Sequence, residues 1–411
     1  MWEVIPRSQE PFVSVRGMRR RWFILAVGIT AQATTASFLY GLPFLIPELQ
    51  RAAGVSLVGA GVVVAAPLFG LLLALIAWGA AADRYGERTV MAIGLAGTGG
   101  LLLVSLTLPG LVAFGAGLFV AGACAASVNA ASGRVVLGWF SASERGLAMG
   151  IRQTAQPIGV GIAAATLPAI GHRYGFAPAL ALPAVLCLVS ALLVLLVVID
   201  PPRPEATPGA AASPYREEPA TTLMRLHSAS ALLVAPQFVA ATFAVTFLVS
   251  VHGWSPVAAG QLVAVVQVVG AAGRIGAGVW SDRAGSRMGP MRIVAVLAAA
   301  TMVLWGLGGS SWLSVAALVA ALVVTVTDNG LGFTATAELA GPFWAGRALG
   351  VQNTAQNIVG MATAPVFGWL ITVLGYPAAL LIAAVFPLAG AALTPVAGER
   401  RLSVASPRGG S

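Results

Sequence analysis

The run GAAADRYGER at residues 79–88 returns 199 positions later as GVWSDRAGSR at 278–287. Five positions coincide: Gly79 with Gly278, Asp83 with Asp282, Arg84 with Arg283, Gly86 with Gly285, and Arg88 with Arg287. A second stretch behaves the same way. GLAMGIRQTAQPI at 146–158 returns as GRALGVQNTAQNI at 346–358, an offset of 200. Two separate matches at nearly one offset are the mark of an internal duplication. Each lies where an apolar run meets a polar loop, so the duplicated unit is a set of apolar runs.

Composition says what those runs are. Hydrophobic residues make up 58% of the 411 positions and charged residues 9%, with a mean hydropathy of +0.89. Soluble domains carry about 25% charged residues, so this chain uses lipid as its solvent. A net charge of +9 would suit nucleic acid only if basic residues clustered with stacking aromatics. Here the arginines punctuate apolar runs instead, and no nucleic-acid partner is expected.

Crossing a bilayer core of about 30 Å takes about 20 apolar residues. Runs of that order occur twelve times, at 22–46, 57–80, 89–108, 111–136, 147–170 and 176–199, then at 231–251, 257–280, 293–307, 312–337, 348–374 and 377–396. Runs this long are helices, because lipid offers no partner to an open backbone. Arg19, Arg20 and Arg21 ahead of WFILAVGI resemble the start of a signal peptide. The apolar run continues unbroken through FLYGLPFLI, so it is read as the first span. The expected fold is an all-α membrane protein of twelve transmembrane helices in two pseudo-symmetric six-helix bundles. Its expected parts are a tail at 1–21, a bundle at 22–199, a linker at 200–230, a second bundle at 231–397 and a tail at 398–411. The linker contains DPPRPEATPGAAASPYREEPATT at 200–222, whose Pro, Ala and charge favour an open, flexible segment.

Arginine placement sets the orientation. All 23 basic residues are arginine. With the N-terminus inside, 18 fall in the tails, linker and inner loops, whereas only Arg51 and Arg173 fall in outer loops. The other three, Arg134, Arg152 and Arg274, lie within spans. This split follows the positive-inside rule and places both termini in the cytoplasm, with a bacterial inner (plasma) membrane as the expected location.

The repeated loop resembles the signature of the major facilitator superfamily, G-x-x-x-D-R-x-G-R-[RK]. It is met here by Gly79, Asp83, Arg84, Gly86 and Arg88, with Glu87 departing from the usual basic residue. The resemblance covers about residues 20–397 and implies the MFS fold and secondary transport by alternating access, while saying little about the solute. It also implies a gate. Asp83 is expected to meet the positive N-terminal end of helix eleven near Gly346, and Asp282 the end of helix five near Gly146. Gly278, Arg283, Gly285 and Arg287 complete the second copy.

Ionisable residues within a membrane cost about 2.5–3.5 kcal/mol each on insertion scales and call for a reason. Arg274 lies eight residues before Asp282, about 12 Å deeper along a helix, which places it near mid-bilayer. Asp328, in TVTDNG, sits in the inner half of helix ten and is a candidate partner for Arg274. Arg152, in IRQTAQ, either braces the gate or contacts solute. Arg134 and Glu338 lie near enough to span ends to reach the surface. The run R-x-x-x-G from Arg274 to Gly278 is similar to one in monocarboxylate and oxalate/formate porters, where the arginine is implicated in holding a carboxylate. Gln32, Tyr40, Asn129, Gln156, Asn329, Asn353 and Gln356 supply uncharged polar groups for a cavity; interhelical hydrogen bonding is the competing role for each.

Cys124 and Cys187 fall inside spans and read as packing residues. No P-loop, HExxH, GxSxG or CxxC is present, so no enzyme activity, cofactor or metal is expected. The expected function is secondary transport of a small solute, foremost a small organic anion with proton coupling, by a monomer embedded in the lipid bilayer. Export of amphipathic compounds is the second reading. Its helix-five motif G-P-x-x-G-G is degenerate here as QPIGVG at 156–161, and helix one lacks an acid before Glu48. A receptor or scaffold without flux is a third.

The topology is directly testable. A cysteine replacing Pro208 should label only from the cytoplasmic side with an impermeant thiol reagent, and one replacing Arg173 only from outside. Equal labelling of the two would overturn the twelve-span arrangement.

Overall fold

A computed structural model describes residues 15–55, 57–201, 213–215, 219–397 and 399. The start of the N-terminal tail (1–14), the linker positions 202–212 and 216–218, and the C-terminal positions 400–411 lie outside the described residues.

The described chain is helical throughout. In order it forms α1 (Val15–Leu39), a 3-10 turn (Leu42–Leu45), α2 (Ile46–Ala53), α3 (Leu57–Tyr85), α4 (Glu87–Ser105), α5 (Gly110–Trp139), α6 (Arg145–Arg152), α7 (Ala155–Tyr174) and α8 (Phe176–Val197). The second half continues with α9 (Pro219–His252), α10 (Pro256–Ala284), α11 (Met288–Leu307), α12 (Trp312–Val324), α13 (Asp328–Ala340) and α14 (Ala345–Leu393). Among the described residues, ten helical stretches are long and apolar enough to cross a membrane.

The twelve runs map onto these helices with three instructive differences. Predicted span five, 147–170, is two helices, α6 and α7. Pro157 has no N–H, so the Gln153 carbonyl four residues earlier loses its helical donor, and the chain turns at Gln153 and Thr154. Span ten, 312–337, is likewise α12 and α13. There the Thr325 hydroxyl donates to Ala321 O at 2.7 Å and the Thr327 hydroxyl to Val324 O at 2.8 Å, a local competition that bends or ends helices. Spans eleven and twelve run together in the 49 residues of α14, about 74 Å at 1.5 Å per residue and over twice the bilayer core. They part at Gly375, whose φ of 79° is one that side chains disfavour. Gly175, 200 positions earlier, takes φ 92° between α7 and α8.

Helix seven also begins earlier than its hydropathy indicates. α9 is helical from Pro219, within the expected linker 200–230. Leu223, Leu226, His227, Ala229 and Ser230 are buried in this extension. Polar residues lowered the local hydropathy, but the helix buries them against neighbours. The expected tail 1–21 is similarly helical from Val15 onward.

Packing separates the two halves and then joins them at one end. Two large clusters, around Phe38, Leu71 and Leu118 and around Ile24, Met91 and Val194, use first-half residues only. Clusters around Phe247, Trp305 and Leu380 and around Leu226, Met291 and Leu331 use second-half residues only. One cluster bridges them, with Leu25, Val136 and Met149 against Phe333, Ala337 and Leu349. The outer faces carry bare aliphatic side chains: Leu73 is 73% exposed, Val112 87% and Leu196 72%. A bilayer is the solvent that such faces require.

The halves approach most closely where α3 meets α14 and α6 meets α10. A Cβ on Gly79 would collide with Gly346 O, and one on Gly278 with Gly146 O. Glycine is required there because the two backbones touch. Gly79→Ala should therefore lower the thermal unfolding temperature by several degrees, an overpacking cost of about 1–3 kcal/mol. Gly100→Ala, where a Cβ meets nothing within 4 Å, is the control and should not lower it. Equal effects would refute the close-approach argument.

Candidate functional site

Each repeated acid reaches into the other half. Asp83, near the end of α3, accepts from Gly346 N at 2.9 Å through Oδ1 and from Arg347 N at 3.0 Å through Oδ2. Asp282, near the end of α10, accepts from Gly146 N at 2.9 Å and Leu147 N at 2.8 Å. Helix N-termini expose unpaired N–H groups and a partial positive charge, so each carboxylate satisfies donors that the helix itself cannot. The four glycines let the acids come this close.

The cation beside each acid comes from a different place in the two halves. Arg134 on α5 donates to Asp83 Oδ1 at 2.7 Å and approaches Glu87 Oε1 with Nε at 2.8 Å. It is 5% exposed, so it does not reach the surface as its position suggested. Its partner Glu87 is the residue that departs from the family pattern, and the structure gives that departure a reason: it balances a buried arginine. In the second half Arg287 takes this role, donating to Asp282 Oδ1 at 2.5 Å and to the two Glu338 oxygens at 3.3 Å. Glu338 also lies 3.6 Å from Arg145. Arg88, the counterpart of Arg287, does not turn to its acid and donates to Leu195 O at 2.5 Å. Arg84 and Arg283 are exposed, and Arg84 lies over the Tyr85 ring.

A further pair at the 199 offset escaped the sequence reading. Asp200 accepts from Arg88 N at 2.8 Å, and Glu399 accepts from Arg287 N at 2.5 Å and Met288 N at 3.1 Å. Each acid follows the last helix of its half and caps the helix after the repeated loop. Both lie in the expected linker and tail, where an acid looks merely solvated.

Above this end lies a central cavity in two connected lobes. Gln32, Tyr40, Asn129, Arg152, Gln156, Asn329, Asn353 and Gln356 line a small polar lobe of about 80 Å³. Gln237 donates no base or acid chemistry but fixes Asn329, whose amide donates to Gln237 Oε1 at 2.9 Å. Gln32 donates to Asn129 Oδ1 at 3.3 Å. Arg152 is 3% exposed. It donates to Ser132 Oγ and Gln153 Oε1, both at 2.9 Å, and to Asn129 O at 3.2 Å, and it lies 5.8 Å from the Phe333 ring. Asn357 and Phe238 also line the lobe. Asn357 was detectable from sequence, being one turn from Asn353 on the same face; Phe238 and Phe333 carried no signal.

Arg274 lines the larger lobe, of about 550 Å³, which shares Tyr40, Gln156, Gln237 and Phe238 with the polar one. It is not ion-paired with Asp328. Its Nη1 donates instead to Gln153 O at 2.6 Å, the carbonyl that Pro157 leaves without a helical donor. Its Nε is buried with no partner. Asp328 starts α13 and is 2% exposed, a position where the helix N-terminus favours a carboxylate. It is not among the lining residues of either lobe.

The buried Arg134 gives a stability test. Arg134→Gln leaves the buried Glu87 without its cation and removes one of two from Asp83, and should cost about 3–5 kcal/mol, the usual effect of removing one partner from a buried pair. Adding Glu87→Gln should recover part of that loss in thermal denaturation. An unchanged single variant would show that the network is not a structural tie.

The comparisons with known proteins agree with this geometry. The profile of the Major Facilitator Superfamily matches residues 23–365. The chain is 44% identical over 385 residues to the uncharacterized MFS-type transporter Rv2994 of Mycobacterium tuberculosis, covering 92% of this chain and 86% of that protein. Its fold is similar to the fucose:proton symporter FucP of E. coli, with TM-score 0.72, 16% identity and coverage of 92% and 98% of the two chains. It is similar also to the human organic anion transporter MFSD10, with TM-score 0.72, 15% identity and coverage of 91% and 99% of the two chains. Two helical halves, tied by reciprocal acid caps around a polar cavity and matched by the family profile over most of their length, place the chain in the Major Facilitator Superfamily.

Proposed function

We propose that this transporter carries a small organic anion, using Arg152 and Arg274 as the charges that recognise it. One observation carries the reading. Both guanidiniums line the cavity, both are buried, and among the described residues neither is in an ion pair. Their partners are carbonyls, an amide and a hydroxyl. A buried cation with only neutral partners leaves the cavity positive, and a buried charge is stabilised when an opposite charge joins it. The guanidinium fork also fits carboxylate and phosphate geometry. The named fold neighbours carry cargo as different as fucose and organic anions, so the choice of anion rests on the arginines.

The gate follows from the same reading. With Asp83 and Asp282 seated on opposite helix ends, the halves are held together on what the arginine distribution makes the cytoplasmic side. Those bonds break when that side opens, and the cavity then changes access about a midplane site. Asp328 is the candidate proton carrier. It is buried, in no ion pair among the described residues, and starts α13, which packs against the helix that carries Arg274. Proton uptake there changes the field at the anion site.

Reconstituted vesicles test this. Arg274→Lys keeps the charge but loses the fork, and it should reduce uptake of carboxylate probes at least tenfold; Arg152→Gln should do the same. Asp328→Asn should retain binding but lose the pH dependence of uptake. Wild-type rates in both arginine variants would end the anion reading.

A further inference from the structure

The two lobes of the cavity differ in character as well as size. The small one is walled by amides and Arg152. The larger is walled mainly by short aliphatic groups, among them Ala164 on α7, Ala241 on α9, Ala264 and Val268 on α10, and Leu322 on α12. Arg274 stands at its inner end. From Arg274 to Ala264 the lobe follows α10 for ten residues, about 15 Å.

The lobe exists because α7 and α10 part company. Below the break at Gln153, α6 and α10 are in backbone contact: a Cβ on Gly150 would lie 2.7 Å from Arg274 O. Above the break, a Cβ on Gly161 of α7 meets nothing within 4 Å. The turn imposed by Pro157 thus opens a cleft next to the Arg274 guanidinium, whose buried Nε lacks a partner. Water held in an apolar cleft finds few partners, whereas an apolar group gains by leaving water. A volume of about 550 Å³ falls within the range of about 300–1,000 Å³ usual for ligand sites.

We infer that the transported anion is an amphiphile: a carboxylate or similarly compact anionic head held by Arg152 and Arg274, joined to an apolar part that fills the cleft between α7 and α10. This rests on the anion reading above and narrows it. Small hydrophilic anions satisfy the arginines but leave the cleft empty. Apolar amines and neutral amphiphiles fill the cleft but leave two buried cations unmatched.

The test uses the full chain in lipid nanodiscs, with empty nanodiscs to subtract partitioning into lipid. Binding is measured by calorimetry for straight-chain carboxylates of four to twelve carbons and for the matching primary amides. Affinity for the carboxylates should rise roughly fourfold per methylene, as expected for burial of each CH₂, until the cleft is full, and then level off. The amides should bind at least tenfold more weakly at each length. Ala264→Phe should bring the plateau to a shorter chain, and Ala164→Leu on the facing helix should do likewise if the first variant does not fold. Carboxylates that bind equally at all lengths would overturn the amphiphile inference and leave the anion reading standing. Amides that bind as well as carboxylates would overturn the anion reading. Binding by neither series would overturn both.

Discussion

A carboxylate seated on the bare end of a helix, with glycine on both sides of the contact, is the constraint on which this structure depends. The contact occurs twice, related by the internal repeat, and each time it joins different halves. Its strength is electrostatic, since ionised acceptors on free N–H groups are roughly twice as strong as neutral pairs. Its reach is steric, because a single methyl group at Gly79 or Gly278 would hold the backbones apart. The two requirements explain why acid and glycine recur together at a fixed spacing of four residues in both copies of the loop.

The repeat is most informative where it fails. Arg134 has Thr334 as its counterpart, and Arg287 has Arg88, so each half neutralises its acid from a different helix. Pro157 corresponds to Asn357, and only the first-half helix breaks there. Arg152 corresponds to Gln352, which is fully buried and bonds to His227 and Thr336. The framework is close to twofold, while the cavity is not. Arg152, which lines the cavity, and Arg134, beside the gate acid, both lack a charged counterpart in the second half.

Much of the architecture could be read from residue order alone, because twelve long apolar runs and one-sided arginine leave little choice of fold. Eight of the ten proposed cavity residues line the polar lobe, and Gln32, Asn129 and Asn329 among them also bond between helices. The misses share a cause. Arg134 was placed by depth, and depth does not show that Glu87, on another helix, waits beside it. The partner of Arg274 was sought among acids, whereas the structure supplies a carbonyl stripped of its donor. That vacancy was implicit in Gln153 and Pro157 but becomes visible only when helical hydrogen bonds are counted one by one. The early start of α9 was hidden because hydropathy averages over faces, and His227 and Ser230 are polar residues that the fold buries.

The bond from Arg274 to Gln153 O joins the two halves at the floor of the cavity. Any anion that draws this guanidinium toward itself competes with that bond. Occupancy and cohesion of the halves are then linked quantities, and linkage is reciprocal: what loosens the floor tightens the hold on the solute, and the reverse. A proline that removes one amide hydrogen thereby sets a guanidinium of the cavity as a tie between the halves.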